Sequence, residues 1–196
     1  YSMSYMKTVM FIESDQVDSL LGIALLFGTP FFVFFGWLSD KVGRKWVMLT
    51  GMLLAVFSYR PIYEKMYQTT NIENKEVIAA NTISKAEYKV TEEKTDSIYT
   101  FQQSFTDGTT YKQVTTRHLE NGQVKLFEGK ASEIVKKTTH INSSDKWTLV
   151  GLIWIQILFI TMVYGPIAAF LVEMFPVKIR YTSMSLPYHI GNGIFG

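Results

Sequence analysis

The chain has 196 residues, about the length of one ordinary domain, and its net charge at neutral pH is only +2. So small a net charge gives no electrostatic reason to expect nucleic acid as a partner, and the absence of cysteine excludes disulfides and thiolate chemistry. The charges are concentrated, because residues 59–146 hold 13 of the 19 Lys and Arg and 12 of the 17 Asp and Glu. The flanks on either side are therefore very apolar.

The first flank contains a stretch long enough to cross a bilayer as a helix. Residues 19–39, SLLGIALLFGTPFFVFFGWLS, carry no charge, and at 1.5 Å per residue they span about 31 Å. The stretch is apolar on every side, which excludes an amphipathic helix on a soluble surface. The alternative is the buried core helix of a large soluble protein, but the length and uniformity favour a helix that spans a membrane.

The second flank contains a longer uncharged stretch, residues 147–172, which makes about 39 Å of helix. That length spans a bilayer with tilt, or with a kink near Gly165-Pro166. Trp147 and Trp154 lie near its start, where aromatic residues commonly mark the membrane interface. We predict a second spanning helix here.

A shorter uncharged stretch, residues 46–59, does not span a bilayer alone. It reaches the required length if it continues through Tyr63, with Arg60 extending its charged end to the interface, and we predict a third spanning helix on that basis. The predicted parts are membrane helices at 1–67, a soluble insert at 68–146, and one membrane helix with the start of another at 147–196.

The insert shows the alternating pattern of β-strands. Asp107-Gly108 and Asn121-Gly122 are strong tight-turn signals between three alternating runs, at residues 98–101, 111–114 and 124–127. We predict a three-strand antiparallel meander. The predicted fold class is therefore an α-helical membrane protein with a small β-rich insert outside the membrane.

Clusters of cations follow the first and last predicted helices: Lys41, Arg44, Lys45, Lys178 and Arg180. The positive-inside rule places both clusters on the cytoplasmic side. Two predicted helices lie between them, so the chain returns to the same side and residues 68–146 face outward. We expect a bacterial plasma (inner) membrane with the insert on its periplasmic side.

Residues 36–45, GWLSDKVGRK, form the loop after the first predicted helix, and this loop resembles a signature of the major facilitator superfamily. The family pattern is Gly-x-Leu-Ala-Asp-(Arg/Lys)-x-Gly-Arg-(Arg/Lys), and the chain departs from it only by Ser39 in place of Ala. A generic positive-inside loop explains the cations, but it explains neither Asp40 nor the two glycines. Gly36 suits the close approach of another helix, and Gly43 suits a tight turn.

A second motif is similar to a Glu-x-Phe-Pro-x-x-x-Arg segment of sugar porters and metabolite–proton symporters, and it consists of Glu173, Phe175, Pro176 and Arg180. The two motifs together look most like the metabolite:proton symporter branch, across residues 1–67 and 147–196. The resemblance implies part of the major facilitator fold, from the end of helix 7 to the start of helix 11. The N-terminal helix bundle of the same chain would be missing, and a large insert would lie between helices 9 and 10.

The resemblance implies a gating role for residues at the cytoplasmic helix ends: Gly36, Asp40, Lys41, Gly43, Arg44, Lys45, Glu173 and Arg180. We predict that Arg44 pairs with Glu173, because opposite charges lie at the inner ends of adjacent helices. Asp40 is expected to pair with Arg180 or with the start of helix 11. Such pairs would hold a cytoplasmic gate shut, and breaking them would shift the conformational balance.

Polar residues inside the predicted helices are candidates for lining a solute path: Gln156, Tyr164, His189 and Asn192. The alternative for each is a structural hydrogen bond to a neighbouring helix. His189 is also a candidate proton carrier, because histidine titrates near neutral pH.

These features predict a secondary active transporter that moves a small polar metabolite or organic anion by alternating access, as a proton symporter. Its partners would be the solute, protons, the lipid bilayer and, for the insert, a periplasmic protein. The alternative is a transporter-like receptor or sensor that binds a ligand or partner through the insert. The sequence shows no nucleophile–base pattern and no metal-ligand spacing, so we expect neither an enzyme, nor a catalytic residue, a metal or a cofactor. Asn142-Ser143-Ser144 fits a glycosylation sequon.

Overall fold

The structure, a computed structural model, describes residues 1–78, 82–91, 94–120, 123–124, 126–127, 130–131, 133–176 and 179. The helices are α1 Ser2–Thr8, α2 Ser14–Val42, α3 Arg44–Thr70 and α4 Ser143–Met174, with a 3-10 turn at Ile72–Asn74. The strands are β1 Ile83–Thr91, β2 Lys94–Ser104, β3 Thr110–Glu120, β4 Gln123–Val124, β5 Leu126–Phe127, β6 Lys130–Ala131 and β7 Glu133–His140.

The chain forms two compact units. The sheet unit comprises residues 1–21 and 65–150, and the helix unit comprises residues 22–64 and α4 from Gly151 onward. Each of the three long helices contributes one end to the sheet unit and the rest to the helix unit. The sequence predicts a soluble insert at residues 68–146, close to the 65–150 part of the sheet unit. It does not predict that residues 1–21 belong to the same unit.

The pairings between named strands are antiparallel, with β1 paired to β2 and β2 paired to β3. The turn between β2 and β3 lies at Asp107-Gly108, where the sequence predicts one. Gly108 has φ +85°, and Asp107 Oδ1 accepts from the Thr109 N–H at 2.9 Å, the geometry of an Asx turn. On the other side of β3, β7 pairs with residues 110–117 and the short β4 pairs with its end.

The N-terminal segment extends this sheet beyond β7. Ile12 forms a parallel bridge with Thr139, whose N–H donates to Phe11 O at 2.7 Å. The Gln16 amide holds both peptide groups of Ile141, accepting from its N–H at 2.9 Å and donating to its C=O at 3.1 Å. Residues 1–12 contain α1 and this bridging segment, and the expectation that they form the end of a preceding membrane helix stays a prediction.

The core of the sheet unit is built where the helix ends meet. Met6, Val17, Leu20, Met66 and Leu149 are fully buried there. The strands themselves contribute little large apolar volume, because most of their described side chains are polar. Burial of each such side chain contributes about 1.5–3 kcal/mol, and Ile12, Phe105 and Ile141 add to the same core from outside the helices.

The predicted fold class is wrong. The described residues combine four α-helices with an antiparallel sheet, and only α2 and α4 among the described helices are long and apolar enough to cross a membrane. An α-helical membrane protein with a partial major facilitator fold does not describe this arrangement. α3, the third predicted spanning helix, does not meet this criterion, because it continues to Thr70 through Arg60, Glu64 and Lys65, which makes its second half more polar.

Candidate functional site

The helix unit exposes large apolar side chains along all three of its helices. Leu26 and Val33 on α2 are 72% and 77% exposed, and Val56 and Phe57 on α3 are 75% and 72% exposed. Of the most apolar 18-residue stretch of each helix, only 17% is buried in α2 and 22% in α4. A core helix of a soluble protein would be mostly buried, so α2 and α4 are better suited to a membrane.

Small residues bring α2 and α4 together along their length. A Cβ at Gly28 would lie 2.4 Å from Ile157 Cγ2, and a Cβ at Gly165 would lie 3.1 Å from Phe32 O and 3.3 Å from Gly36 N. The later residues of α2 meet the later residues of α4, so the two helices run parallel and their C-terminal ends lie side by side. Close backbone approach at small residues is how helices associate in membranes.

A charge cluster lies at these helix ends. Arg44 Nη1 is 2.8 Å from Glu173 Oε1, which is the contact that the sequence predicts. Arg44 Nη2 and Nε also donate to Asp40 Oδ1 at 3.0 and 3.2 Å. The Arg44 side chain is 22% exposed and both carboxylates are more than 60% exposed. Pairs this exposed contribute about 0–1 kcal/mol each, so the cluster can open without unfolding the helices.

The structure assigns different environments to the other residues of the predicted gate. Gly43 has φ +104° and forms the break between α2 and α3. The Lys41 ammonium lies 4.1 Å from the Trp37 ring centroid, a cation–π contact. A Cβ at Gly36 would meet no atom within 4 Å, so the glycine that needs to be small in this contact is Gly165.

Asp40 has an observed partner that the sequence does not predict. It pairs with Arg44 four residues later, across the break at Gly43. Arg180 and the expected start of helix 11 lie outside the described residues. Lys45 is the second residue of α3 and is exposed, and no charged partner for it is present within the described part of the chain.

The predicted solute-lining residues are only partly described. Gln156 is 5% exposed within α4, and Tyr164 is 55% exposed, so these two side chains do not share one environment. His189 and Asn192 lie outside the described residues.

Trp154 is a candidate that sequence reasoning missed. The sequence predicts an interfacial aromatic there, but the ring packs edge-on against Phe31 with centroids 5.6 Å apart. Its Nε1–H is buried and has no acceptor among the described side chains and backbone. A buried donor left unpaired costs about 1–3 kcal/mol, which favours a polar partner at this point of the helix unit. The only sequence signal is its position two residues before Gln156.

A second polar cluster belongs to the sheet unit. The Lys75 ammonium donates to Asp107, to Asp145 and to Thr109 Oγ1, the last at 2.8 Å. Asn142 Nδ2 donates to Asp107 Oδ2 at 2.8 Å, and its Oδ1 accepts from the Asp145 N–H, which caps α4. Because the Asn142 amide is engaged in this cluster, the predicted glycosylation sequon is poorly placed for modification.

The pKa values in this cluster follow its geometry. Burial alone would lower the pKa of Lys75, but hydrogen bonds and charge from Asp107 and Asp145 outweigh it and raise that pKa. Burial alone would raise the pKa of Asp107, but Lys75 and the bonds from Thr109 hold it below its usual value. All members are satisfied, so the cluster acts as a structural clamp.

No protein-family model, curated protein or solved structure matches this chain. The resemblance to the major facilitator superfamily therefore rests on the two sequence motifs alone.

Proposed function

We propose that the chain is part of a secondary active transporter that moves a small polar metabolite or organic anion across a membrane by alternating access, coupled to protons. The proposal is supported by two helices that suit a membrane and by their close packing at glycine. Two helices do not enclose a solute path, so the proposal requires further helices around them.

The observation that carries the proposal is the double pairing of Arg44. One guanidinium, at the start of α3, joins Asp40 near the end of α2 to Glu173 at the end of α4. Weak, partly exposed pairs between helix ends suit a gate, because they open at low free-energy cost when the helices separate. The buried Gln156 and the unpaired Trp154 N–H are the polar groups proposed to meet the solute.

The proposed orientation places the turn at Gly43 in the cytoplasm and the sheet outside, on the periplasmic side of a bacterial plasma membrane. Because α2 and α3 each have one end in the sheet unit, this orientation has α3 return the chain across the membrane, with its polar second half toward the outer side. The cations near this turn support it, since short loops rich in Lys and Arg stay on the cytoplasmic side. Proton coupling is supported by the resemblance of the two motifs to those of metabolite:proton symporters.

Uptake into proteoliposomes tests the proposal. The full-length protein is expected to accumulate a small metabolite or organic anion when a pH gradient is imposed. Arg44→Gln and Glu173→Gln are each expected to change the uptake rate about fivefold, equivalent to about 1 kcal/mol. The double variant should change the uptake rate no more than either single variant does, because both substitutions break the same contact.

Glu87→Gln is the matched control, because it breaks an exposed ion pair with Lys85 in the sheet unit. Uptake without gradient dependence would remove proton coupling. Additive effects of the two gate variants would remove the shared contact from the mechanism.

A receptor or sensor with a transporter-like scaffold is the second candidate function. The observation that favours it is a cavity of about 190 Å³ in the sheet unit, which lies among residues outside the two candidate spans. Deletion of residues 71–145 separates the two functions. Intact uptake with loss of a downstream response would support the receptor.

A further inference from the structure

We infer that the cavity in the sheet unit binds a small organic monoanion with a flat apolar body, through Lys137 and the ring of Phe11. Its walls come from three parts of the chain: the segment before α2, the end of α3 with its 3-10 turn, and the neighbouring strands β3 and β7. All of these belong to the sheet unit, so the inference does not rest on the proposed transport.

The strands provide the rigid floor of the cavity. Tyr111 and Thr139 are directly opposite each other on β3 and β7, and Lys137 lies opposite Gln113 two pairs further on. Side chains two residues apart on a strand point to the same face, so Lys137 and Thr139 both face the cavity. The Tyr111 hydroxyl is fixed by a 3.0 Å bond to Gln113 Oε1.

Phe11 is held in a conformation that a bulky residue rarely adopts. Its φ is +54°, and it is the one non-glycine residue with positive φ in the described part of the chain. The backbone that follows Phe11 is held by Thr139, whose N–H donates to Phe11 O and whose C=O accepts from the Glu13 N–H at 3.1 Å. Strained backbone that persists commonly marks a ligand clamp, and here the strain turns the Phe11 ring into the cavity wall.

The charge of the cavity comes from Lys137. Its ammonium lies 5.4 Å from the Phe11 ring centroid, and no carboxylate of the described residues is within 4.0 Å of it. A carboxylate ligand would pair with this cation while its body packs on the rings of Phe11 and Tyr67. Glu73 also lines the cavity, and its charge disfavours a second negative group on the ligand.

The volume limits the ligand to a small metabolite. At about 190 Å³ the cavity is smaller than the roughly 300–1,000 Å³ of pockets for drug-sized ligands. Benzoate has the required charge and shape, and benzamide is its neutral counterpart of nearly the same size. These two molecules are therefore the probes.

Titration calorimetry on the whole chain in detergent micelles tests the inference. Benzoate is expected to bind with a Kd of about 1 mM or tighter, and benzamide at least about tenfold more weakly. Lys137→Gln is expected to weaken benzoate binding about tenfold, whereas Lys136→Gln, on the opposite face of β7, should leave it unchanged. Lys137 is exposed, so an unchanged thermal midpoint is expected for both variants.

Phe11→Gly separates a binding role from a structural one. Glycine adopts φ +54° without strain, so the variant should keep its thermal midpoint and lose benzoate affinity. Equal binding of benzoate and benzamide, equal effects of the two lysine variants, or full affinity in Phe11→Gly would each overturn the inference. Absence of benzoate binding up to about 10 mM would overturn it as well.

Discussion

Lys75 illustrates how a single side chain joins distant parts of the sheet unit. Its side chain is 9% exposed, and it connects the segment after α3 to the turn before β3 and to the first turn of α4. A buried cation without partners would be costly, but here Asp107 and Asp145 supply two opposite charges. The two carboxylates depend equally on Lys75, since they would otherwise repel each other.

The stability of the sheet unit should therefore fall at both ends of the pH scale. The folded pKa of Asp107 is lowered, so its stabilisation is present above the unfolded pKa of about 3.9 and is lost as the pH falls through the folded value. The folded pKa of Lys75 is raised, so its stabilisation is present below about 10.4 and is lost as the pH rises through the folded value.

Urea unfolding followed by circular dichroism across the pH range measures this dependence. Asp107→Asn should be less stable at neutral pH by about 1–3 kcal/mol and should lose less stability on acidification than the parent. Glu87→Gln, which alters an exposed pair, is the control and should follow the parent curve. If Asp107→Asn lost as much stability as the parent protein on acidification, the assigned role of Asp107 would be contradicted.

Among the elements, α2 and α4 are recognisable from sequence because length and lack of charge are local properties. The turn at Asp107-Gly108 is recognisable for the same reason, since turn chemistry depends on adjacent residues. The bridge between Ile12 and Thr139 could not be foreseen, because it joins residues far apart in the chain and no alternating pattern marks it. The sequence predicts only one of the two partners of Arg44. Opposite charge at the helix ends predicts Glu173, whereas the contact with Asp40 depends on the geometry of the turn at Gly43.

Packing between α2 and α4 gives a test at the scale of elements. Gly28→Ala should lower the thermal midpoint in detergent, because the new Cβ would lie 2.4 Å from Ile157 Cγ2 and the helices must shift. Overpacking of this kind costs about 1–3 kcal/mol. Gly22→Ala on the same helix meets no atom within 4 Å, so it should be neutral or stabilising by up to about 1 kcal/mol. Equal midpoints for the two variants would show that α2 and α4 do not pack at Gly28.

At the scale of the whole molecule, the exposed apolar surface is the dominant physical fact. Monomeric soluble proteins rarely expose contiguous apolar patches larger than a few hundred Å². Leu26, Val33, Val56 and Phe57 are each more than 70% exposed on α2 and α3, while the described side chains of the strands are mostly polar. One polypeptide therefore contains segments suited to two solvents, and its charge distribution follows that division.

Single-cysteine labelling tests whether α2 crosses the membrane. The chain contains no cysteine, so Ser14→Cys and Val42→Cys each introduce one thiol at an exposed site, before and after the apolar region of α2 respectively. In spheroplasts, a membrane-impermeant maleimide should label Ser14→Cys without lysis and Val42→Cys only after lysis, because the cations beside Val42 favour the cytoplasm. The reverse pattern would invert the orientation, and labelling of both sites without lysis would show that α2 does not span. Lysed cells are the control, because both thiols must then react.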